Sequence, residues 1–277
     1  MLTAFSLARL RLASFDKTDY NGTRTVLVPL IRRYKMPIKR PILANSEIYH
    51  IVMRGTEGRV IFLEDADRVR FIHDLFEFND EDAATSTFRK RLIQSNRTSN
   101  GTRTVLVPLQ EERKKRKLLI EILAFCLMPN HFHLLLRQLK DNGISQFMRK
   151  LGGYATYINQ KYNRQGHLYQ GRFRAVHVED EEQLKNGFVY IYTNPIELVE
   201  PGWKENGIEN PKKAVEFLKN YRWSSFLDYI GKKNFPSVTN RDLLTEILGG
   251  PTDCQKFVED WVLYKTEIKK LGNAVLE

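Results

Sequence analysis

Leu118-Leu-Ile-Glu-Ile-Leu-Ala-Phe-Cys-Leu-Met-Pro-Asn-His-Phe-His-Leu-Leu-Leu-Arg137 is two apolar runs hinged on Pro129-Asn130. Proline and asparagine favour turns, so the stretch predicts a strand over 118–127, a tight reversal, and a neighbouring strand over 131–137. On a strand, residues i and i+2 share a face. His131 and His133 therefore project together, and Phe132 enters the core on the other side. Two adjacent imidazoles make up most of the donor set of a metal site.

Upstream, 47–53 reads as a strand, 54–58 as a turn, 60–63 as a second short strand, and 65–78 as a helix begun near Asp65 or Asp67. Downstream, Asn142-Gly143 precedes a long helix over 144–162, which Arg164-Gln-Gly166 ends. A strand follows over 172–178. Asp180 caps the next helix, with Gln183 in the capping-box position and Leu184, Phe188 and Ile191 as its buried stripe. Pro195 stops that helix, since a residue before proline avoids the helical basin. This order of elements predicts an α+β sandwich with a mainly antiparallel sheet and helices on one face. Helical patterns over 211–220, 239–248 and 254–271 predict a C-terminal accessory region, placed at 201–277. Trp223-Ser-Ser-Phe226 reads as packing within it.

The helix from Asp180 ends in Tyr190-Ile-Tyr-Thr-Asn-Pro195. At ~100° per residue, Tyr190 lies ~40° from Asn194, whereas Tyr192 lies ~200° from it. Tyr190 is thus the better placed of two rival hydroxyls to meet a metal shared with Asn194. Paired imidazoles, a phenol and an amide oxygen together imply cleavage of a phosphodiester by a tyrosine nucleophile. The competing reading makes both tyrosines packing residues and Asn194 a helix cap. Imidazole pairs are typical of zinc, but there is no Cys-x-x-Cys pair to suggest a structural zinc site. An amide ligand and a phosphate substrate suit Mg²⁺ or Mn²⁺. His50 points away from Tyr49 and reads as structural or substrate-lining. His167 and His177 read as polar surface residues or as supports to the ligands.

The chain has 277 residues, 42% of them hydrophobic, enough to bury one large domain. No apolar run approaches bilayer length, and the first eleven residues lack a secretory core. With two cysteines, no disulfide framework is implied. The expected location is a bacterial cytoplasm, in association with the nucleoid, and no membrane partner is expected. The net charge of +11 favours a polyanion, nucleic acid above all. Arg149, Lys150, Lys161, Arg164, Arg172 and Arg174 flank the two motifs, interleaved with Tyr154, Tyr157, Tyr162, Tyr169 and Phe173. Cations for phosphates and rings for unstacked bases are what a single-strand groove requires. Arg149, Lys150, Arg164, Arg172 and Arg174 are the expected phosphate contacts, and Tyr169 and Phe173 the expected stacking rings.

The decapeptide Asn-Gly-Thr-Arg-Thr-Val-Leu-Val-Pro-Leu occurs twice, at residues 21–30 and 100–109. Such an identity in unrelated surroundings is no solenoid repeat. Gly-Thr and Val-Pro codons are reverse complements in their fixed bases, so each copy reads as an in-frame translation of a mobile DNA palindrome. The gene sequence tests this. On this reading 79–117 is a loop insertion, Met36 the original start, and 1–35 a poorly ordered extension.

Five strings in order, Tyr49-His-Ile-Val-Met-Arg-Gly55, Met128-Pro-Asn-His-Phe-His133, Gly166-His-Leu-Tyr-Gln-Gly-Arg-Phe173, Tyr190-Ile-Tyr-Thr-Asn-Pro195 and Trp223-Ser-Ser-Phe226, resemble the HUH single-tyrosine transposases. The likeness is to their branch associated with repetitive extragenic palindromes (REP). It implies a ferredoxin-like catalytic domain over 36–200 and single-stranded or hairpin DNA as partner. It also implies His131, His133 and Asn194 as metal ligands and Tyr190 as the nucleophile. Either a monomer or a homodimer fits. A non-catalytic or inactivated nucleic-acid-binding α+β protein is the alternative.

Overall fold

The computed structural model describes residues 41–82 and 116–274, with side chains as far as residue 267. The 1–35 extension, most of the 79–117 insertion and both decapeptides lie outside the described residues.

Strands β1 (Ile48–Arg54), β2 (Ile120–Met128), β3 (His131–Gln138) and β4 (Arg174–Val178) form one antiparallel sheet in the order β2-β3-β1-β4. Helix α1 (Asp65–Glu77) joins β1 to β2, and α2 (Gly143–Leu151) and α3 (Gly153–Lys161) join β3 to β4. That is the ferredoxin-like arrangement expected. The hinge at Pro129-Asn130 pairs Met128 with His131 and Cys126 with His133.

Strand alternation divides the side chains between two faces. Phe132 packs on Phe71 of α1 with ring centres 4.7 Å apart, and Phe71 on Tyr154 of α3 at 5.0 Å. The helix pair therefore covers the face of Phe132. The opposite face carries His50, His131 and His133, and meets α4 (Glu181–Thr193). Asp180 caps α4 by accepting from Gln183 N at 2.7 Å. The expected stripe of Leu184, Phe188 and Ile191 is buried.

Two local expectations are corrected. Residues 60–63 form no strand: Ile61 and Phe62 are buried, and their amides both donate to Pro129 O rather than to a ladder. The long helix over 144–162 is two helices, broken at Gly152-Gly153. Adjacent glycines are weak helix formers and a common site of kinks.

Beyond α4 come a 3₁₀ turn (Asn194–Leu198) and helices α5 (Trp203–Asn206), α6 (Pro211–Leu218), α7 (Phe226–Tyr229), α8 (Asp242–Leu248) and α9 (Pro251–Ala274). This region is stitched onto the sheet. Leu127 N donates to Trp223 O at 2.9 Å, and Ser225 N to Phe125 O at 3.0 Å. The hydroxyls of Tyr221 and Tyr229 donate to Leu127 O and Leu123 O at 2.6 and 2.7 Å. Together they occupy the free edge of β2, which would otherwise offer unpaired backbone groups.

Candidate active site

The two imidazoles sit side by side on β3, ring centres 4.9 Å apart. Asn130, in the hinge, orients the first. Its Nδ2 donates to Gly58 O at 3.0 Å, and a carbonyl can only accept. The amide orientation is thereby fixed, and Oδ1 faces His131 Nδ1 at 2.6 Å. His131 Nδ1 must therefore carry the proton, which leaves a lone pair on Nε2. Gly58 presents its carbonyl from a backbone at φ +73°, a conformation natural to glycine.

His50 orients the second. Its Nε2 lies 2.9 Å from His133 Nδ1, and the two rings stack with centres 5.1 Å apart. His133 Nε2 is buried and has no hydrogen-bond partner among the described residues. The two rings share one N–H, and only the arrangement with His133 Nδ1 donating to His50 Nε2 leaves the His133 Nε2 lone pair open to a metal. Burial lowers the pKa of all three rings, His50 to about 3, His131 to about 4 and His133 well below its ordinary value. They are neutral at physiological pH, the form that binds metals.

Helix α4 brings the phenol to this pair. The Tyr190 ring lies 5.7 Å from the rings of both His133 and His50, edge to face. Burial raises its pKa above the ordinary tyrosine value. Tyr192 belongs to the core: it is 1% exposed, and its hydroxyl bonds Ser225 Oγ at 2.7 Å. Asn194 Nδ2 donates to the carbonyl of Tyr190 at 2.5 Å. Its Oδ1 accepts from Lys204 Nζ at 2.7 Å, and that ammonium also lies 5.2 Å from the Tyr190 ring.

His131, His133, Tyr190, Asn194 and Lys204 line a cleft of about 270 Å³ with Val52, Met53, Arg54, Gln170, Gly171, Arg172 and Arg174. Four of the lining residues are cations, and no lining residue is a carboxylate. Across the sheet, Cys126, His133, Val52 and Arg174 form one row, and Met128, His131 and Arg54 the next. Arg54 and Arg174 thus share the histidine face by strand parity. Among the described residues no three His, Cys, Asp or Glu side chains are placed to hold one metal ion together. The donors available to a cation are two imidazole lone pairs and one amide oxygen, a set that suits a divalent ion whose remaining ligands come from elsewhere.

The expected DNA contacts divide. Arg172 and Arg174 are exposed at the cleft. Arg149 is exposed on α2, away from it, and Lys150 is tied to the carbonyls of Asp80, Glu81 and Asp82. Arg164 is half-buried outside the cleft, with Nη2 lacking a bond among the described residues. The stacking role expected of Tyr169 and Phe173 is corrected: both rings are buried, Tyr169 6.2 Å from Phe132 in the core. Their aromatic spacing marks packing, not a stacking platform. His177 pairs with Glu47 at 2.6 Å, and His167 is exposed. Sequence reasoning missed Arg54, Asn130 and Lys204 as site residues and left the role of His50 open. Strand parity with His133 could have found His50 and Arg54. No local signal marks Lys204.

Residues 87–194 match the family model described as "Transposase IS200 like". A curated relative from Haemophilus influenzae, provisionally named a REP-associated tyrosine transposase, is 33% identical over 119 residues. The match covers 38% of this chain and 58% of the relative, so the chain spans under two thirds of that protein's length. A solved structure described as a REP-associated tyrosine transposase bound to a REP hairpin is similar with TM-score 0.42 and 15% identity, over 75% of this chain and 93% of its own. The likeness of the matched segment is to the IS200-like transposases. The curated relative narrows that likeness to the REP-associated tyrosine transposases, the branch the motifs resemble.

Proposed function

We propose that the protein nicks and rejoins single-stranded, hairpin-forming DNA through a covalent bond to Tyr190. The observation that carries this reading is the convergence of the Tyr190 ring with the imidazole pair in one cation-lined cleft. His131 and His133 would hold a divalent ion, Mg²⁺ or Mn²⁺, with Asn194 as third protein ligand. When bound, the ion supplies Lewis-acid polarisation of the scissile phosphate.

The chain's own residues do the rest. Arg54, Arg172, Arg174 and Lys204 attract and hold the backbone phosphates. Tyr190 Oη attacks phosphorus, the bond to the 3′-oxygen breaks, and the 3′-oxygen ends protonated. The products are a 5′-phosphotyrosine and a free 3′-hydroxyl. A phenol of pKa about 10 is only ~0.1% ionised at pH 7, and burial lowers that fraction further. Loss of the proton is therefore concerted with attack, in a field of positive charge. The phosphotyrosine keeps the phosphodiester linkage, so a second 3′-hydroxyl reverses the reaction without ATP. Residues 36–200 supply the sheet and nucleophile, and 201–277 a helical region that braces them.

A 5′-tailed, labelled DNA hairpin incubated with Mn²⁺ or Mg²⁺ should yield a protein–DNA adduct that survives a denaturing gel. Tyr190→Phe should bind the hairpin and form no adduct. An adduct persisting in Tyr190→Phe would overturn the assignment, and water-based hydrolysis without any adduct would replace it with a metal-dependent nuclease.

A further inference from the structure

Lys204 is an unusual guest in a candidate metal site. It comes from the four-residue α5, outside the matched segment, on a turn fixed at both ends. Gly202 N donates to Glu197 Oε1 at 3.0 Å, and Trp203 packs edge-on against Trp261 of α9, ring centres 5.5 Å apart. The side chain runs from this anchor into the cleft, where its ammonium bonds the neutral oxygen of Asn194. Among the described residues no carboxylate lies within ion-pair distance of it. Glu197 and Glu205 act on it from farther off, and a half-buried ammonium without a contacting carboxylate has room for a contacting anion.

The same shortage holds for the whole cleft. The donors available to a metal are all neutral, and Arg54, Arg172, Arg174 and Lys204 surround them. A dication arriving alone meets four cationic side chains and no carboxylate in the cleft wall, with Glu197 and Glu205 acting on Lys204 only from outside the lining. Lys204 is the severest of these, because it already holds Asn194 Oδ1. A phosphodiester anion removes both problems at once, neutralising the ammonium and supplying the missing charged ligand.

We infer that Lys204 makes metal and DNA phosphate bind as a pair: the ammonium repels the ion from the empty cleft and, once a phosphate lies against it, ceases to do so. The inference rests on the proposed metal-assisted reading of this cleft. It means the C-terminal region sets when the site is loaded.

The test is Mn²⁺ binding by calorimetry in a Tyr190→Phe background, which prevents turnover, with and without a 5′-tailed DNA hairpin. Mn²⁺ should bind weakly alone and about tenfold or more tighter with DNA, and Mn²⁺ should tighten DNA by the same factor. Lys204→Met should bind Mn²⁺ alone about tenfold more tightly, with the coupling reduced by the same factor. Lys204→Arg should keep it. Thermal unfolding of each variant separates loss of charge from loss of fold. Equal Mn²⁺ affinity and equal coupling in Lys204→Met and its parent would overturn the inference while leaving the metal site standing. Mn²⁺ binding that is absent, or unchanged by His131→Ala, would overturn the metal reading and the inference with it.

Discussion

His50→Leu is the most discriminating single change at this cleft. His50 is completely buried, and its Nε2 lies 2.9 Å from His133 Nδ1. Leucine fills much of the space and offers no acceptor. His133, itself 3% exposed, then keeps a buried N–H without a partner, which costs about 1–3 kcal/mol of stability. A merely structural histidine would produce that loss and nothing more. A histidine that fixes the tautomer of a metal ligand produces a second effect. Without it, His133 can place its proton on Nε2, and metal affinity should fall about 10–100-fold.

The two effects separate experimentally. Urea unfolding reads the first. Cleavage of a DNA hairpin against Mn²⁺ concentration reads the second: the half-saturating concentration should rise, and the rate at saturating Mn²⁺ should largely recover. His50→Gln, which retains an acceptor oxygen, should restore part of the metal affinity. A His50→Leu protein that is destabilised but needs no more Mn²⁺ than the parent would refute the orienting role.

Three other outcomes are expected. Tyr192→Phe should lose one buried hydrogen bond to Ser225, about 0.5–1.5 kcal/mol in denaturant unfolding, and still form the covalent adduct. Burial raises the Asp74 carboxyl to about 6, partly offset by Arg70 at 2.9 Å. The folded state therefore holds that proton above the pH at which the unfolded chain releases it. The resulting stabilisation is complete below about pH 4 and is lost by about pH 6, so stability against pH should flatten across that window in Asp74→Asn. Arg172→Ala and Arg174→Ala should each weaken hairpin binding and reduce the slope of log affinity against log salt by about 1, whereas Arg149→Ala, away from the cleft, should leave the slope unchanged.

The parts of the site legible in sequence share one property: a local period set their geometry. His131 and His133 are two apart on a strand, and Tyr190 and Asn194 four apart on a helix, so each pair's common face follows from backbone geometry alone. The sheet was legible for the same reason, because apolar runs with a Pro-Asn reversal admit one pairing. Tyr169 and Phe173 were misread because aromatic residues among arginines look alike whether they stack on bases or fill a core, and only the burial of their rings separates the two. The break at Gly152-Gly153 was carried by two adjacent weak helix formers inside an otherwise continuous helical pattern, a signal the apolar period alone does not weigh. Lys204 was invisible because its position depends on a contact between Trp203 and Trp261, 58 residues apart in sequence.

That last dependence bears on where the catalytic unit ends. A boundary at residue 200 leaves the helix of Tyr190 and both imidazoles on one side, which looks sufficient for the proposed chemistry. Yet three kinds of contact cross it. Trp223 and Ser225 continue the sheet beyond β2, and the Tyr221 and Tyr229 hydroxyls satisfy carbonyls on that strand. Ser225 holds the hydroxyl of Tyr192, two residues from Tyr190 on the same helix. Lys204 meets Asn194 and Tyr190 directly. A sheet edge bared to solvent invites pairing with another chain, and a nucleophile helix without Tyr192 anchored has one buried support fewer. The helical region after α4 is therefore fastened to the strand and the helix that carry the imidazole pair and Tyr190, and on the proposed chemistry a piece ending at residue 200 should form less adduct than the full chain.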